Sequence, residues 1–324
     1  MKKLIYLSLI IISIIYSCKK DDPNPDDNNG VTPAMARDSL YYIMQEWYYW
    51  NEVMPDVNKE NYADPYLLLD AMRYNELDRW SFIEDYDDFI AQMSGSFVGH
   101  GFRIGLDDAG KARIAMIYEK SPLWADSVRR GWIVESINGA NIAQILLAGD
   151  AATYSSTIGP SEAGVTNTFV FRRPDGTLKT VASTKKSFQV NTVLLKEVLN
   201  INGKPTGHLV FESFINPSRD ELAQAFALFK SNNVEDLIVD LRYNGGGYFD
   251  IAQTLASYIG GNSLAGTIFG KMQYNQLHPE QNSEYPFLTT PYSLNLQRVV
   301  FITTRGTASA SEAVMNGLIP HIIK

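Results

Sequence analysis

The rhythm of hydrophobic and polar residues changes twice along the folded part of the chain. In residues 38–53, Leu40, Ile43, Met44, Trp47 and Trp50 recur at helical spacing, and Asp38 is placed to cap the start. Residues 65–74 carry Leu68, Leu69 and Met72 and predict a second helix. From residue 94 to 186 the pattern turns to short β-rich runs separated by glycines: 97–106, 112–118, 132–137, 169–172 and 180–183. Several short strands with turn signals predict a small barrel or sandwich. Beyond them, residues 207–214 read as a strand, and 218–232 as an amphipathic helix with Leu222, Phe226 and Phe229 on one side. A buried strand at 237–241, a helix at 250–259, a buried strand at 299–303 and a helical pattern at 313–318 follow. Strands alternating with helices predict an α/β layer with parallel strands, whose sites lie at the carboxyl ends of the strands.

Two segments at such strand ends carry candidate chemistry. The first, VDLRYNGGG, places Gly245, Gly246 and Gly247 after a strand, where the backbone can turn sharply and aim amides at an incoming oxygen. Taken alone it is equally a tight strand-to-helix turn. A phosphate loop is excluded by the missing lysine and hydroxyl, Tyr248 and Phe249 standing there instead. The second segment, TTRGTASASE, runs from a buried strand through small residues into a helix. A serine at such a turn suits a nucleophile, with helix-start amides ready for an oxyanion. Ser309 and Ser311 read equally well as helix caps. The aromatic run Trp47, Tyr48, Tyr49 and Trp50 is either a ligand platform or a core stripe.

Composition narrows the class. The chain is 45% hydrophobic and 12% aromatic, which argues against global disorder. No apolar stretch reaches the ~18 residues of a spanning helix, so a multipass membrane protein is excluded. A formal charge of -8 makes nucleic acid an unsuitable partner. One cysteine permits no intramolecular disulfide, four scattered histidines give no metal-ligand spacing, and no cofactor motif appears.

That cysteine stands at an informative place. Lys2 and Lys3 precede an apolar run at 4–15, and Tyr16, Ser17 and Cys18 follow, the layout of a secretory signal. It resembles a lipobox, which implies a signal peptide at 1–17 and lipidation of Cys18. The alternative is an ordinary cysteine near a signal cleavage site. Residues 19–30, KKDDPNPDDNNG, hold no hydrophobic residue and read as a tether, assigned to 18–33. The two lysines followed by acidic residues resemble the surface-export tag of lipoproteins in the Bacteroidetes lineage. The implied location is the bacterial cell envelope, periplasmic or surface-exposed, with the bilayer as a partner through Cys18.

Residues 100–105, HGFRIG, resemble the carboxylate-binding loop and strand of a PDZ domain. SPLWAD at 121–126, RGWIV at 130–134 and Ile137-Asn138-Gly139 extend the likeness, with Trp132 where aspartate is usual. Such a module binds peptides by strand addition, implying contacts from Gly99, His100, Gly101, Phe102 and Ile104; a spacer or gate that takes no substrate is the alternative.

VDLRYNGGG and GTASASEA, about sixty residues apart and behind this module, together resemble the carboxy-terminal processing, or tail-specific, serine peptidases. Asp240, Leu241, Arg242, Asn244, Gly246 and Gly247 match the family string, with Gly245 where proline is frequent. The resemblance implies a crotonase-like α/β core at 187–324, a PDZ-like domain at 94–186 and a helical N-terminal domain at 34–93. It implies Ser309 as nucleophile, and backbone amides of Gly246, Gly247 and Ala310 as oxyanion donors. Protein or peptide substrates follow, cut in unfolded or C-terminal segments. The family's base is a buried lysine about 25 residues after the serine, in a G.T.GK context, whereas only fifteen residues follow Ser309 here. The expectation is therefore a core incomplete at its C-terminus and little turnover by the 324-residue form. A peptide-binding pseudoenzyme is the competing reading, with a hydrophobic-ligand carrier behind it.

Overall fold

The computed structural model describes residues 30–322. The signal, Cys18, most of the tether and Lys324 lie outside the described residues. The chain divides into two compact units, residues 30–83 with 275–277, and the remainder from residue 84.

The first unit is helical. Helix α1 (Pro33–Trp47) starts earlier than the apolar spacing indicates, because Thr32 Oγ1 accepts the Met35 amide and Pro33 needs no amide acceptor. Asp38, expected as the cap, instead pairs with Arg37 and Lys59. Helix α2 (Pro65–Met72) is capped by Asp64 and buries Leu68, Leu69 and Met72 against Met44 and Tyr48. Within the aromatic run, Tyr48 is core: its hydroxyl donates to Asp78 at 2.8 Å and accepts the Tyr74 amide. Trp47 and Tyr49 are exposed.

The second unit opens with helix α3 (Tyr86–Ser94), closed by Gly95 at φ +80°. A β-rich module follows. The run expected as one strand at 97–106 is two, β1 (Ser96–Gly99) and β2 (Phe102–Leu106), because the chain turns at Gly101, φ +75°. A Cβ on Gly101 would overlap Ser121, so the close approach also requires glycine. Strand β3 (Ala112–Ile117), helix α4 (Pro122–Ala125), β4 (Ile133–Ile137), β5 (Ala140–Asn141), helices α5 (Ile142–Leu147) and α6 (Ala151–Ile158), β6 (Thr166–Arg172) and β7 (Leu178–Thr184) complete the module. Its sheet runs β2-β3-β4-β6-β7, with β5 against β4, so β2 lies at an edge. Phe102 and Ile104 of β2 pack on the core of Ile114, Leu123, Phe169 and Phe171. Strand β8 (Lys186–Gln189) returns to pair with β1.

The α/β core is built from β9 (Val193–Ile201), β10 (Lys204–Phe211), helix α7 (Ser218–Ser231), β11 (Asp236–Asp240), helix α8 (Phe249–Gly260), the hairpin β12 (Ile268–Met272) and β13 (Ser283–Pro286), β14 (Arg298–Ile302) and helix α9 (Ala310–Leu318). The sheet order is β14-β11-β10-β9; β10, β11 and β14 are mutually parallel and β9 is antiparallel. A helix between consecutive strands returns the chain to the same end of the sheet, which is why β10, β11 and β14 run parallel. Leu222, Phe226 and Phe229 of α7 pack with Leu255 and Ile259 of α8 and with Leu237 and Val239 of β11. Phe226 is fully buried and sits 5.0 Å, ring to ring, from Tyr258. Phe226→Ala is expected to cost about 3–5 kcal/mol, read as a lowered midpoint in urea with an unchanged slope.

Candidate active site

The carboxyl ends of β11 and β14 are neighbours, so the two suspicious segments leave the sheet side by side. Thr304 Oγ1 donates to the Arg242 carbonyl and Thr307 Oγ1 to the Leu241 carbonyl, both at 2.8 Å, stitching the serine segment to the loop after β11. This explains why small hydroxyl residues fill the stretch before Ser309.

Ser309 is exposed and immediately precedes α9. Its backbone lies at φ +55°, ψ −119°, a conformation that a residue with a Cβ enters only at a cost of about 1–3 kcal/mol. A strained strand-to-helix turn of this kind lifts a serine hydroxyl clear of its neighbours. Glu312 holds the turn by accepting the Ser309 amide at 2.9 Å. The capping reading holds for Ser309 as well, which is the N-cap of α9 in a capping box with Glu312, but not for Ser311, which is buried with its hydroxyl donating to the Asn244 carbonyl.

The glycine turn lies directly against this elbow. A Cβ on Gly246 would stand 2.7 Å from Ser309 Cβ and 3.1 Å from the Ala310 nitrogen, so only glycine permits the approach. Gly247, at φ +134°, would overlap the Phe214 carbonyl if it bore a side chain. Phe214 anchors the turn, donating its amide to the Gly246 carbonyl and accepting that of Tyr248. One sequence expectation needs correction here. The Gly246 amide donates to Asn244 Oδ1 at 2.9 Å, so it is not an open donor. Among the described residues, the amides of Gly247 and Ala310 meet no protein acceptor and stand open.

Beside the turn is a cavity of about 390 Å³, lined by Arg103, Glu212, Ser213, Arg242 and the three glycines among others. Arg103 reaches it from β2, donating to Glu212 Oε1 at 2.6 Å and to the Tyr243 carbonyl at 3.3 Å. Arg103 also lines the cavity at the expected peptide loop, whereas Glu212 was not legible in the sequence, since nothing in its local pattern marks a buried carboxylate. Glu212 is 4% exposed. Burial raises its pKa, against the lowering influence of the Arg103 guanidinium and the Tyr118 hydroxyl.

The module's expected peptide loop, Gly99 to Phe102, lines a separate cavity of about 220 Å³ with Tyr154 and Ile158. His100 is buried at its wall, with Nε2 2.7 Å from Asn167 Oδ1 and Nδ1 3.1 Å from Ser183 Oγ. Burial lowers its pKa, outweighing the opposing hydrogen bond to Asn167, and so favours the neutral ring.

A parallel α/β sheet whose adjacent strand ends present a strained serine and a glycine turn is an arrangement that can set a serine hydroxyl beside amide donors. Residues 205–319 match the family model "Peptidase family S41", and residues 36–82 match "Peptidase S41 N-terminal domain". Both matches point to the same family, the first to its peptidase domain and the second to its N-terminal companion. It is similar to the carboxy-terminal processing protease CtpB of Bacillus subtilis, at 24% identity over 71% of this chain. The match spans 45% of that relative's length. A solved structure from Bacteroides fragilis NCTC 9343, designated an S41 protease, superposes with a TM-score of 0.69 at 23% identity, over 88% of this chain and 76% of that one. This similarity fixes the mixed α/β fold.

The raised pKa of Glu212 has a signed consequence. A carboxyl whose folded pKa exceeds its unfolded value favours the folded state below the ordinary carboxylate range and withdraws that support as pH rises through the folded value. Glu212→Gln is therefore expected to gain on the parent across that window and hold a constant difference above it, read from urea midpoints between about pH 4 and 8.

Proposed function

We propose that the protein is a serine endopeptidase of the carboxy-terminal processing type. The observation that carries this reading is the exposed Ser309 in its strained turn, pressed against Gly246 beside the open amides of Gly247 and Ala310. In the proposed reaction Ser309 Oγ forms a bond to the scissile carbonyl carbon and loses its proton to a base. The carbonyl oxygen becomes an oxyanion facing the Gly247 and Ala310 amides. Collapse expels the amine with a proton returned from the base, and water hydrolyses the acyl-enzyme by the reverse sequence. No basic side chain among the described residues is hydrogen-bonded to the Ser309 hydroxyl; the proposal gives that role to the buried lysine of the family resemblance.

The β-rich module is proposed as PDZ-like, receiving a substrate's C-terminal segment along the β2 edge with its carboxylate at the Gly99–Gly101 loop. The edge position of β2 and the 220 Å³ cavity support this. The core is proposed as crotonase-like, and the N-terminal region as a signal peptide and tether ending in lipidated Cys18, which would hold the enzyme to a membrane of the bacterial envelope. A capture protein that binds such segments without cutting them is the second reading, favoured by the same β2 edge.

Cleavage of an unfolded substrate by the full-length protein separates the two. Ser309→Ala is expected to reduce turnover by at least about 10⁴-fold while leaving peptide binding in place. Retained cleavage by Ser309→Ala contradicts the proposed nucleophile, and tight binding without cleavage by the parent favours the capture reading.

A further inference from the structure

We propose that Asn244 is a positioning residue that sets the oxyanion turn in register with the serine elbow; this rests on the reading of Ser309 as nucleophile. Asn244 is fully buried and every polar group it has is engaged. Its side-chain amide donates to the Phe211 carbonyl, at the end of β10, at 3.1 Å. Its Oδ1 accepts the Gly246 amide at 2.9 Å. Its own amide donates to the Leu241 carbonyl at 3.0 Å. Its carbonyl accepts the Ala308 amide and the Ser311 hydroxyl, both at 3.3 Å, from the two sides of Ser309.

The need for such a residue follows from the turn's composition. Three successive glycines have no Cβ to choose among backbone conformations, and fixing each costs about 1–2 kcal/mol of entropy. The direction of the Gly247 amide is therefore set from outside the turn. Phe214 fixes the Gly246 carbonyl, and Asn244 fixes the amide of the same residue. With both ends of Gly246 held, the Gly247 N–H that follows has one direction. The same Asn244 grips Ala308 and Ser311, so the donor turn and the nucleophile elbow share one reference point. A purely structural buried asparagine would satisfy polar groups anywhere in the core; these bonds converge on the residues flanking the reacting atoms.

The test compares the full-length parent, Asn244→Ala, Ser311→Ala and Ser309→Ala for kcat, KM and affinity for a peptide aldehyde, which mimics the tetrahedral oxyanion. Asn244→Ala is expected to lower kcat by about 10²–10³-fold, the effect of losing one oxyanion donor. KM should stay within about threefold, and aldehyde affinity should fall in step with kcat. Asn244→Ala removes the two side-chain bonds and keeps the three made by its backbone; Ser311→Ala cuts one of those three, keeps the test open if Asn244→Ala does not fold, and is expected to show the same signature at about tenfold. A loss confined to KM, or aldehyde affinity within about threefold of the parent in the folded variants, overturns the proposal. Turnover surviving in Ser309→Ala removes the nucleophile reading and this proposal with it. An inert Ser309→Ala beside an unimpaired Asn244→Ala removes this proposal alone.

Discussion

The site depends on one close approach, the backbone of Gly246 against Ser309, where a single added carbon would stand 2.7 Å from the serine Cβ. That approach exists because β11 and β14 are parallel neighbours and end at the same level, with Asp240 opposite Ile302. The loop after β11 has its carbonyls at Leu241, Arg242 and Asn244 taken by groups of the serine segment. The strain at Ser309 is thus supported by polar contacts with the loop after β11 rather than by the serine turn alone.

Much of this was legible in the chain. Strands β10 and β11 read as apolar runs because a parallel sheet covered by helices needs no polar face; β14, expected to be buried as well, is instead an edge strand that leaves Val300 and Ile302 exposed. Helix α7 followed from the spacing of Leu222, Phe226 and Phe229, and α8 from the helical pattern at 250–259. Strand β9 was missed: Leu194, Leu195, Val198 and Leu199 are spaced as in a helix, and an edge strand that is half-buried on both faces shows no clean alternation. The start of α1 was misplaced because two capping residues, Thr32 and Asp38, compete in sequence and a proline at the first helical position favours the earlier one. At the site, the two motifs disclosed Ser309 and the glycines, while the engagement of the Gly246 amide was hidden, since sequence shows which amides a turn offers but not which are already bonded.

A second relationship was equally invisible. Arg103 belongs to the β-rich module and Glu212 to the core, 109 residues apart, and their pairing puts a charge from the module at the wall of the cavity beside the glycine turn. The Tyr243 carbonyl, within the loop that leads to the glycine turn, is held by the same guanidinium. The module and the α/β core are thereby joined at the place where the proposed oxyanion donors originate.

The most direct measurement of the central claim is a crystal structure of the full-length protein with a peptide aldehyde bound. The account predicts a covalent bond from Ser309 Oγ to the aldehyde carbon, with the resulting oxygen about 2.7–3.1 Å from the Gly247 and Ala310 nitrogens. An adduct on another residue, or an oxygen turned away from both amides, would contradict it.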